Sequence, residues 1–236
     1  MQVRLFCIPY AGGSANVYNK WRKHIASSIE LCPVELAGRG KRFGEPFYNS
    51  LYDAANDVFN SIADKINEVP YAIFGHSMGS WIAFELYYKL KETGFKEPIH
   101  IFFSGRYPPH IKKGGKVFNE LTNEEFKEEI LKIGETPVEL FEDKAMESAI
   151  IQLLKADYKI LENYKFLPKG QPINCDITIF NGKRDNDVTG NDLKEWPKYS
   201  GKQCDIYEFD GGHFFINSER EVVLKAISDK LSLGDR

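Results

Sequence analysis

The sequence predicts an α/β fold with a mostly parallel central sheet, helices on both faces and a helical lid insertion. Short apolar segments alternate with helix-like patterns, which is typical of parallel strands joined by crossover helices. This alternation stops after Ser104 and resumes near Cys175. A strand-like segment also runs directly into Gly75-His-Ser77-Met-Gly79, and helix-forming residues follow it at once.

The first part of the chain contains two predicted strands and two predicted helices. Val3–Ile8 is apolar enough for the first strand, and a helix is expected from about Val17. Ile29–Val34 is the second predicted strand. Ser50 and Asp53 form the pattern of a capping box, which predicts the start of a helix. One face of this helix carries an apolar stripe, namely Leu51, Ala55, Val58, Ile62 and Ile66.

The next predicted strand, Tyr71–Phe74, leads into the glycine-flanked serine. A helix is expected from Ser80 to a stop at Gly94, because glycine commonly ends helices. Further strands are predicted at Ile99–Ser104, Asp176–Phe180 and Cys204–Phe209. A last helix is expected to open with Ser218 and Glu221 as a capping box and to bury Val223, Ile227 and Leu231.

About seventy residues separate Ser104 from Cys175 without a convincing strand, which is far longer than the usual crossover connection. This length predicts a helical lid at about residues 107–168 within a single domain spanning residues 1–236. Leu121, Thr122, Glu125 and Phe126 combine a capping box with a hydrophobic staple. A second helix is expected from about Asp143 to Asn163. Its apolar stripe either packs the lid onto the body or also lines a pocket, and comprises Met146, Ile150, Leu153, Leu154 and Leu161.

Gly75-His-Ser77-Met-Gly79 has the spacing of a nucleophile elbow, in which a serine lies on a tight turn between a strand and a helix. The turn leaves no room for side chains two positions either side, so Gly75 and Gly79 are steric requirements. Ser77 is therefore the candidate nucleophile. The helix start after it favours an anion, which suits the product of attack on a carbonyl.

A serine nucleophile needs a base and a carboxylate that orients the base, and in this motif both follow the serine in the chain. His213 is the candidate base, because it lies in an Asp-Gly-Gly-His loop after a predicted strand. Asp185 is the favoured acid and Asp187 the alternative, both in a loop after the preceding strand. His76, inside the elbow, is expected to point away from His213 as a packing or hydrogen-bonding residue.

Attack on a carbonyl also requires two backbone N–H groups that bind the developing oxyanion. One comes from the residue after the nucleophile, here Met78. The other is expected in the glycine-rich loop Pro9–Ser14, where Ala11 is the favoured donor and Tyr10 the alternative.

Composition is that of an ordinary globular protein of 236 residues, 42% hydrophobic and 28% charged. The net charge of −3 gives no basis for binding nucleic acid or a membrane surface. The four cysteines contain no C-x-x-C pair and are interpreted as free thiols in a reducing compartment. No apolar run approaches the length of a membrane span, and the first strand begins too early for a signal peptide. A cytoplasmic location is expected.

Several short motifs occur in one order, and together they resemble the type II thioesterases that accompany nonribosomal peptide and polyketide synthetases. The resemblance covers nearly the whole chain and rests on Pro9-Tyr-Ala-Gly-Gly-Ser14, Leu36-Ala-Gly-Arg-Gly40, Gly75-His-Ser-Met-Gly79, Pro108-Pro-His-Ile111, Ala156-Asp157-Tyr158, Phe180-Asn-Gly182 and Asp210-Gly-Gly-His213. Ala37 departs from the family, which often has proline there.

The resemblance implies the α/β-hydrolase fold, a triad of Ser77, Asp185 and His213, and an oxyanion hole formed by Met78 and Ala11. It also implies a substrate, an acyl group on the phosphopantetheine thiol of an acyl or peptidyl carrier protein, and no metal or cofactor. The same triad would serve an acyl-CoA or carboxylic ester hydrolase. A hydrolase scaffold retained only for binding is the remaining alternative.

Overall fold

The computed structural model describes residues 2–114, 117–133 and 141–232. Six strands form one sheet in the order β2-β1-β3-β4-β5-β6, and every neighbouring pair is parallel. The strands are β1 (Val3–Ile8), β2 (Ile29–Pro33), β3 (Tyr71–His76), β4 (His100–Ser104), β5 (Asp176–Gly182) and β6 (Cys204–Phe209). The predicted parallel α/β sheet is confirmed. Because all strands run the same way, the loops after β1, β3, β5 and β6 leave from one edge of the sheet.

The helices cover both faces of this sheet, as predicted. They are α1 (Leu51–Ile62), α2 (Met78–Glu92), α3 (Asn123–Ile133), α4 (Lys144–Glu162), α5 (Gly190–Leu193), α6 (Phe215–Ser218) and α7 (Arg220–Leu231). In the described ranges, none of the helices is both long and apolar enough to cross a bilayer.

Side chains of β3 alternate between two cores, as the two-residue period of a strand requires. Tyr71 and Ile73 join the core that contains the apolar faces of α1 and α2. Ala72 and Phe74 join the opposite core, which contains α7 and the segment after β1. A strand buried on both faces is therefore held rigidly, and this rigidity extends to the residues at its carboxyl end.

The helix expected near Val17 is a 3-10 helix at Ala15–Lys23, capped by the Ser14 hydroxyl. Three residues per turn place Tyr18 and Trp21 above one another, and both are buried. The Tyr18 hydroxyl also donates to the carbonyl of Ile8, 2.8 Å away. These contacts explain why the segment is wound more tightly than an α-helix.

The capping box predicted at Ser218 is wrong. Ser218 is the last residue of α6, and α7 begins at Arg220 with Glu219 before it and no side-chain cap. Phe215 and Ile216 are buried, which holds this stretch in a helical turn. A residue already in such a turn lacks the extended backbone that a capping serine needs.

The lid segment lies between β4 and β5 and contains α3 and α4. The predicted capping box at the start of α3 is confirmed, because the Glu125 N–H donates to Thr122 and the Thr122 N–H donates to the Glu125 carboxylate. Asp143 caps α4. Residues 115–116 and 134–140 of the predicted lid lie outside the described residues. The single domain over 1–236 and the lid limits of about 107–168 stay predictions.

Candidate active site

Ser77 lies on the sharp turn between β3 and α2. Within the described ranges it is the non-glycine residue with a positive φ, 52° with a ψ of −114°. A Cβ on Gly75 would lie 2.1 Å from the carbonyl oxygen of Gly79, and one on Gly79 would lie 2.2 Å from that of Ile8. The steric requirement for both glycines is confirmed. Because the turn is completed at Ser77, α2 begins at Met78, two residues before the predicted start.

Three side chains from three strand ends meet at this turn. His213 follows β6, and its Nε2 is 3.0 Å from the Oγ of Ser77. Asp185 follows β5, and its Oδ2 is 2.7 Å from the Nδ1 of His213. A carboxylate accepts only, so Nδ1 carries the proton and Nε2 is left to accept from the serine hydroxyl. The predicted residues therefore form a continuous hydrogen-bonded series from serine to carboxylate.

The second oxygen of Asp185 holds its own loop in place. Oδ1 accepts from the backbone N–H groups of Asp187, at 2.9 Å, and Val188, at 3.3 Å. Asp187 itself points elsewhere, with Oδ2 3.4 Å from the Arg106 guanidinium. Of the two aspartates that the sequence left open, the structure brings Asp185 to His213.

The glycine-rich segment at residues 9–14, here called the β1 loop, lies directly beside the elbow. Its turn is closed by the Gly13 N–H, which donates to the Tyr10 carbonyl at 2.9 Å. The Gly12 N–H donates to the carboxylate of Asp157 at 2.8 Å, so it is already bound. Met78 is the first residue of α2, and its N–H has no acceptor within that helix.

The prediction that His76 points away from His213 is wrong, since their ring centroids are 5.3 Å apart. The segment after β6 folds back over the end of β3 and packs the ring of Phe215 edge-to-face against His76. The predicted hydrogen bond does form, between His76 Nδ1 and the Ser104 hydroxyl at 2.8 Å. Burial, with a smaller effect of charge on His213, lowers the pKa of His76 well below its usual value. A neutral imidazole therefore lies beneath His213.

The apolar stripe of α4 is divided between two environments. Ile150, Leu153 and Leu154 line a cavity whose opposite wall is the β1 loop. Leu161 packs against the large core beside α1 and α2, and Met146 is 48% exposed. The stripe therefore both packs the lid onto the body, through Leu161, and lines a cavity, through Ile150, Leu153 and Leu154. Neither this cavity beside α4 nor a larger one beside β2 is lined by Ser77, Asp185 or His213, but the one beside α4 includes Ala11 and Phe214, the neighbour of His213.

The sequence analysis assigned no role to three residues at this site, namely Arg39, Asp157 and Tyr158. Arg39 and Asp157 form an ion pair that contacts the β1 loop. Both residues occur in the short motifs that carried the family resemblance, and this was the available signal. Tyr158, next to Asp157, lines the cavity.

The model of the thioesterase domain family matches residues 3–231 of the chain. The chain belongs to the thioesterase family. The predicted resemblance to type II thioesterases is confirmed, since such enzymes are among its structural relatives. The α/β-hydrolase fold is confirmed with it.

Two curated relatives and one solved structure show the extent of the similarity. The thioesterase is 33% identical over 232 residues to the gramicidin S biosynthesis protein GrsT of Aneurinibacillus migulanus, covering 98% of this chain and 90% of GrsT. It is 37% identical over 216 residues to the medium-chain S-acyl fatty acid synthase thioesterase of Rattus norvegicus. The match covers 90% of this chain and 81% of the rat enzyme. The crystal structure of ClbQ from the colibactin NRPS/PKS pathway superposes with a TM-score of 0.93 at 34% sequence identity. The match covers 98% of this chain and 97% of ClbQ.

Proposed function

We propose that this thioesterase hydrolyses acyl thioesters held on the phosphopantetheine arm of carrier proteins, through an acyl-serine intermediate. The observation that carries the proposal is the continuous series from Ser77 through His213 to Asp185. Such a series activates a serine for acyl transfer. Membership of the thioesterase family indicates the bond that is cleaved.

In the first step, the Oγ of Ser77 attacks the thioester carbonyl while the Nε2 of His213 takes its proton. Asp185 holds the Nδ1–H and stabilises the imidazolium that forms. The N–H groups of Met78 and Ala11 bind the oxyanion. The C–S bond then breaks, and the departing thiol takes the proton from His213, which leaves an ester on Ser77.

In the second step, water attacks this ester and gives its proton to His213. The oxyanion is bound by the same two N–H groups, and the Ser77 oxygen recovers the proton as the carboxylic acid leaves. The net reaction is thioester plus water to acid plus thiol. We propose that no metal or cofactor takes part, because this chain and water supply every group that the two steps use.

Carrier proteins of nonribosomal peptide or polyketide synthetases are the proposed partners. Support comes from the relatives, whose names refer to gramicidin S biosynthesis and to an NRPS/PKS pathway. The cavity between α4 and the β1 loop adds an apolar surface for the acyl chain, and its lining includes Ala11, the proposed oxyanion donor, and Phe214, which follows His213 in the chain. A cytoplasmic location stays a prediction, supported by four free cysteines.

The decisive experiment offers one acyl group in three forms, namely on a phosphopantetheinylated carrier protein, on CoA and as a p-nitrophenyl ester. We expect the highest kcat/KM for the carrier-bound form, with the Ser77→Ala variant as the blank. An equal or higher kcat/KM for the CoA form would favour the acyl-CoA hydrolase. Turnover of the ester alone would favour the carboxylic ester hydrolase.

Leu153→Asp tests whether the cavity receives the acyl chain. We expect kcat/KM to fall about tenfold or more for a decanoyl substrate and little for acetyl, because an unpaired carboxylate in an apolar cavity costs at least ~1.4 kcal/mol. Gln152→Asp, on the exposed side of the same helix, is the matched control. Equal losses on both chain lengths in a folded variant would show that Leu153 only packs the lid.

A further inference from the structure

A buried ion pair lies outside the triad, between Arg39 in the loop after β2 and Asp157 on α4. The guanidinium donates two hydrogen bonds to the carboxylate, from Nη1 to Oδ2 and from Nη2 to Oδ1, each 2.7 Å long. The two side chains are 2% and 3% exposed. Removing both charges from water is costly, so the geometry of the pair and its further hydrogen bonds determine what it does.

Those further hydrogen bonds reach the β1 loop from both partners. Asp157 Oδ2 accepts from the Gly12 N–H at 2.8 Å, and Arg39 Nη1 donates to the Gly13 carbonyl at 3.3 Å. The Gly12 N–H belongs to the peptide plane that joins Ala11 to Gly12. The ion pair therefore fixes the peptide that directly follows the proposed oxyanion donor.

Gly12 is also held against α4 by shape. Its φ is 76°, and a Cβ at this position would lie 2.4 Å from the Cδ2 of Leu154. Leu154 and Asp157 are three residues apart and share one face of the helix. One side chain thus contacts the loop by packing and the other by a charge-assisted hydrogen bond.

We propose that Arg39 and Asp157 are positioning residues that orient the β1 loop for catalysis and tie it to α4. Neither touches the reacting atoms: Asp157 acts through the peptide between Ala11 and Gly12, and Arg39 acts through the Gly13 carbonyl and through Asp157. The position of the lid helix and the geometry of the oxyanion hole are then linked. This inference rests on the proposed function, because it assigns Ala11 the role of oxyanion donor.

The main test replaces the pair as a unit, with the double variant Arg39→Met/Asp157→Leu. Replacing a buried ion pair by apolar residues of similar size is often neutral or stabilising, so the fold should persist. The Gly12 N–H, however, loses its acceptor. We expect kcat to fall about 10- to 100-fold with a smaller change in KM, since a misplacement of about 1 Å can cost a hundredfold.

Asp157→Asn is the conservative variant, and Glu85→Gln is its matched control. An amide oxygen in the place of Oδ2 can still accept from the Gly12 N–H and from one nitrogen of Arg39, but the NH₂ group then faces the other guanidinium nitrogen, and the charge that pairs with Arg39 is lost. Glu85 is likewise a buried carboxylate, paired with Lys169 at 2.6 Å and with the Tyr164 hydroxyl, but it lies on α2 and contacts the segment after α4 rather than the β1 loop. We expect Asp157→Asn to lower kcat and Glu85→Gln to affect only the melting temperature.

Two further measurements separate positioning from loss of stability. A trifluoromethyl ketone forms a tetrahedral adduct on serine, and its inhibition constant should rise by the same factor as kcat falls. Hydrogen exchange of the Gly12 amide should be slow in the wild type and fast in the double variant. A folded double variant with wild-type kcat, or a Glu85→Gln variant with an equal loss of kcat, would overturn the inference.

Failure of the proposed function and failure of this inference would give different results. If the wild type cleaves a p-nitrophenyl ester but no acyl thioester, the proposed substrate is wrong, and the variants still report on positioning through the ester. If the wild type cleaves neither, Gly12 exchange decides: faster exchange in the double variant supports the inference, and unchanged exchange overturns it.

Discussion

Ser77→Ala is expected to lower kcat about 10⁶-fold, the size of effect seen when a serine hydrolase loses its nucleophile. The substitution removes one hydroxyl that contacts the Nε2 of His213, and it leaves the backbone turn as it was. The melting temperature should therefore stay close to that of the wild type. Steady-state hydrolysis of an acyl-carrier thioester, with thermal unfolding measured in parallel, provides the check.

His213→Ala should be nearly as severe, because the serine then lacks its base. The two residues act as a unit, so the double variant should be little worse than either single one. A fluorophosphonate should label the wild type and leave Ser77→Ala unlabelled, which also addresses the non-catalytic alternative. Substantial turnover in folded Ser77→Ala would exclude the acyl-serine mechanism.

The sheet and the order of site residues could be predicted because both depend on local pattern. Each strand is a short apolar segment, and parallel strands place their carboxyl ends together. Ser77, Asp185 and His213 each follow such a segment, so their proximity follows from topology. The turn at Ser77 could be predicted from its two glycines alone, because a Cβ at Gly75 or Gly79 would lie 2.1 or 2.2 Å from a backbone carbonyl oxygen.

The features that sequence analysis missed depend on contacts between distant segments. Arg39 and Asp157 are 118 residues apart, and no local periodicity pairs them. The ring of His76 meets His213 because the loop after β6 folds back across β3. Ser218 matched a capping pattern, yet burial of Phe215 and Ile216 keeps that stretch helical. For His76 and Ser218, tertiary packing overrode a local expectation, and for Arg39 and Asp157 the sequence offered no local expectation at all.

Asp185→Asn is expected to cost about 10⁴-fold in kcat, while Asp187→Asn should cost little. The Asp185 carboxylate is 2.7 Å from His213 Nδ1 and accepts a hydrogen bond from its N–H. An asparagine would present an NH₂ group there, which makes Nδ1 an acceptor and moves the ring proton to Nε2. Nε2 would then face Ser77 as a donor and could not take the hydroxyl proton.

Asp187→Asn is a matched control, because it removes the same charge two residues away. Its carboxylate is 54% exposed and lies 3.4 Å from Arg106, so its loss leaves His213 unaffected. In the Asp185→Asn variant, the remaining side-chain oxygen can still accept the loop N–H groups of Asp187 and Val188, and both variants should therefore melt near the wild type. Kinetics of the two on one acyl-carrier substrate decide the matter. A crippled Asp187→Asn beside a normal Asp185→Asn would make the triad Ser77, Asp187 and His213, and would require the Asp187 loop to turn toward His213 when substrate binds.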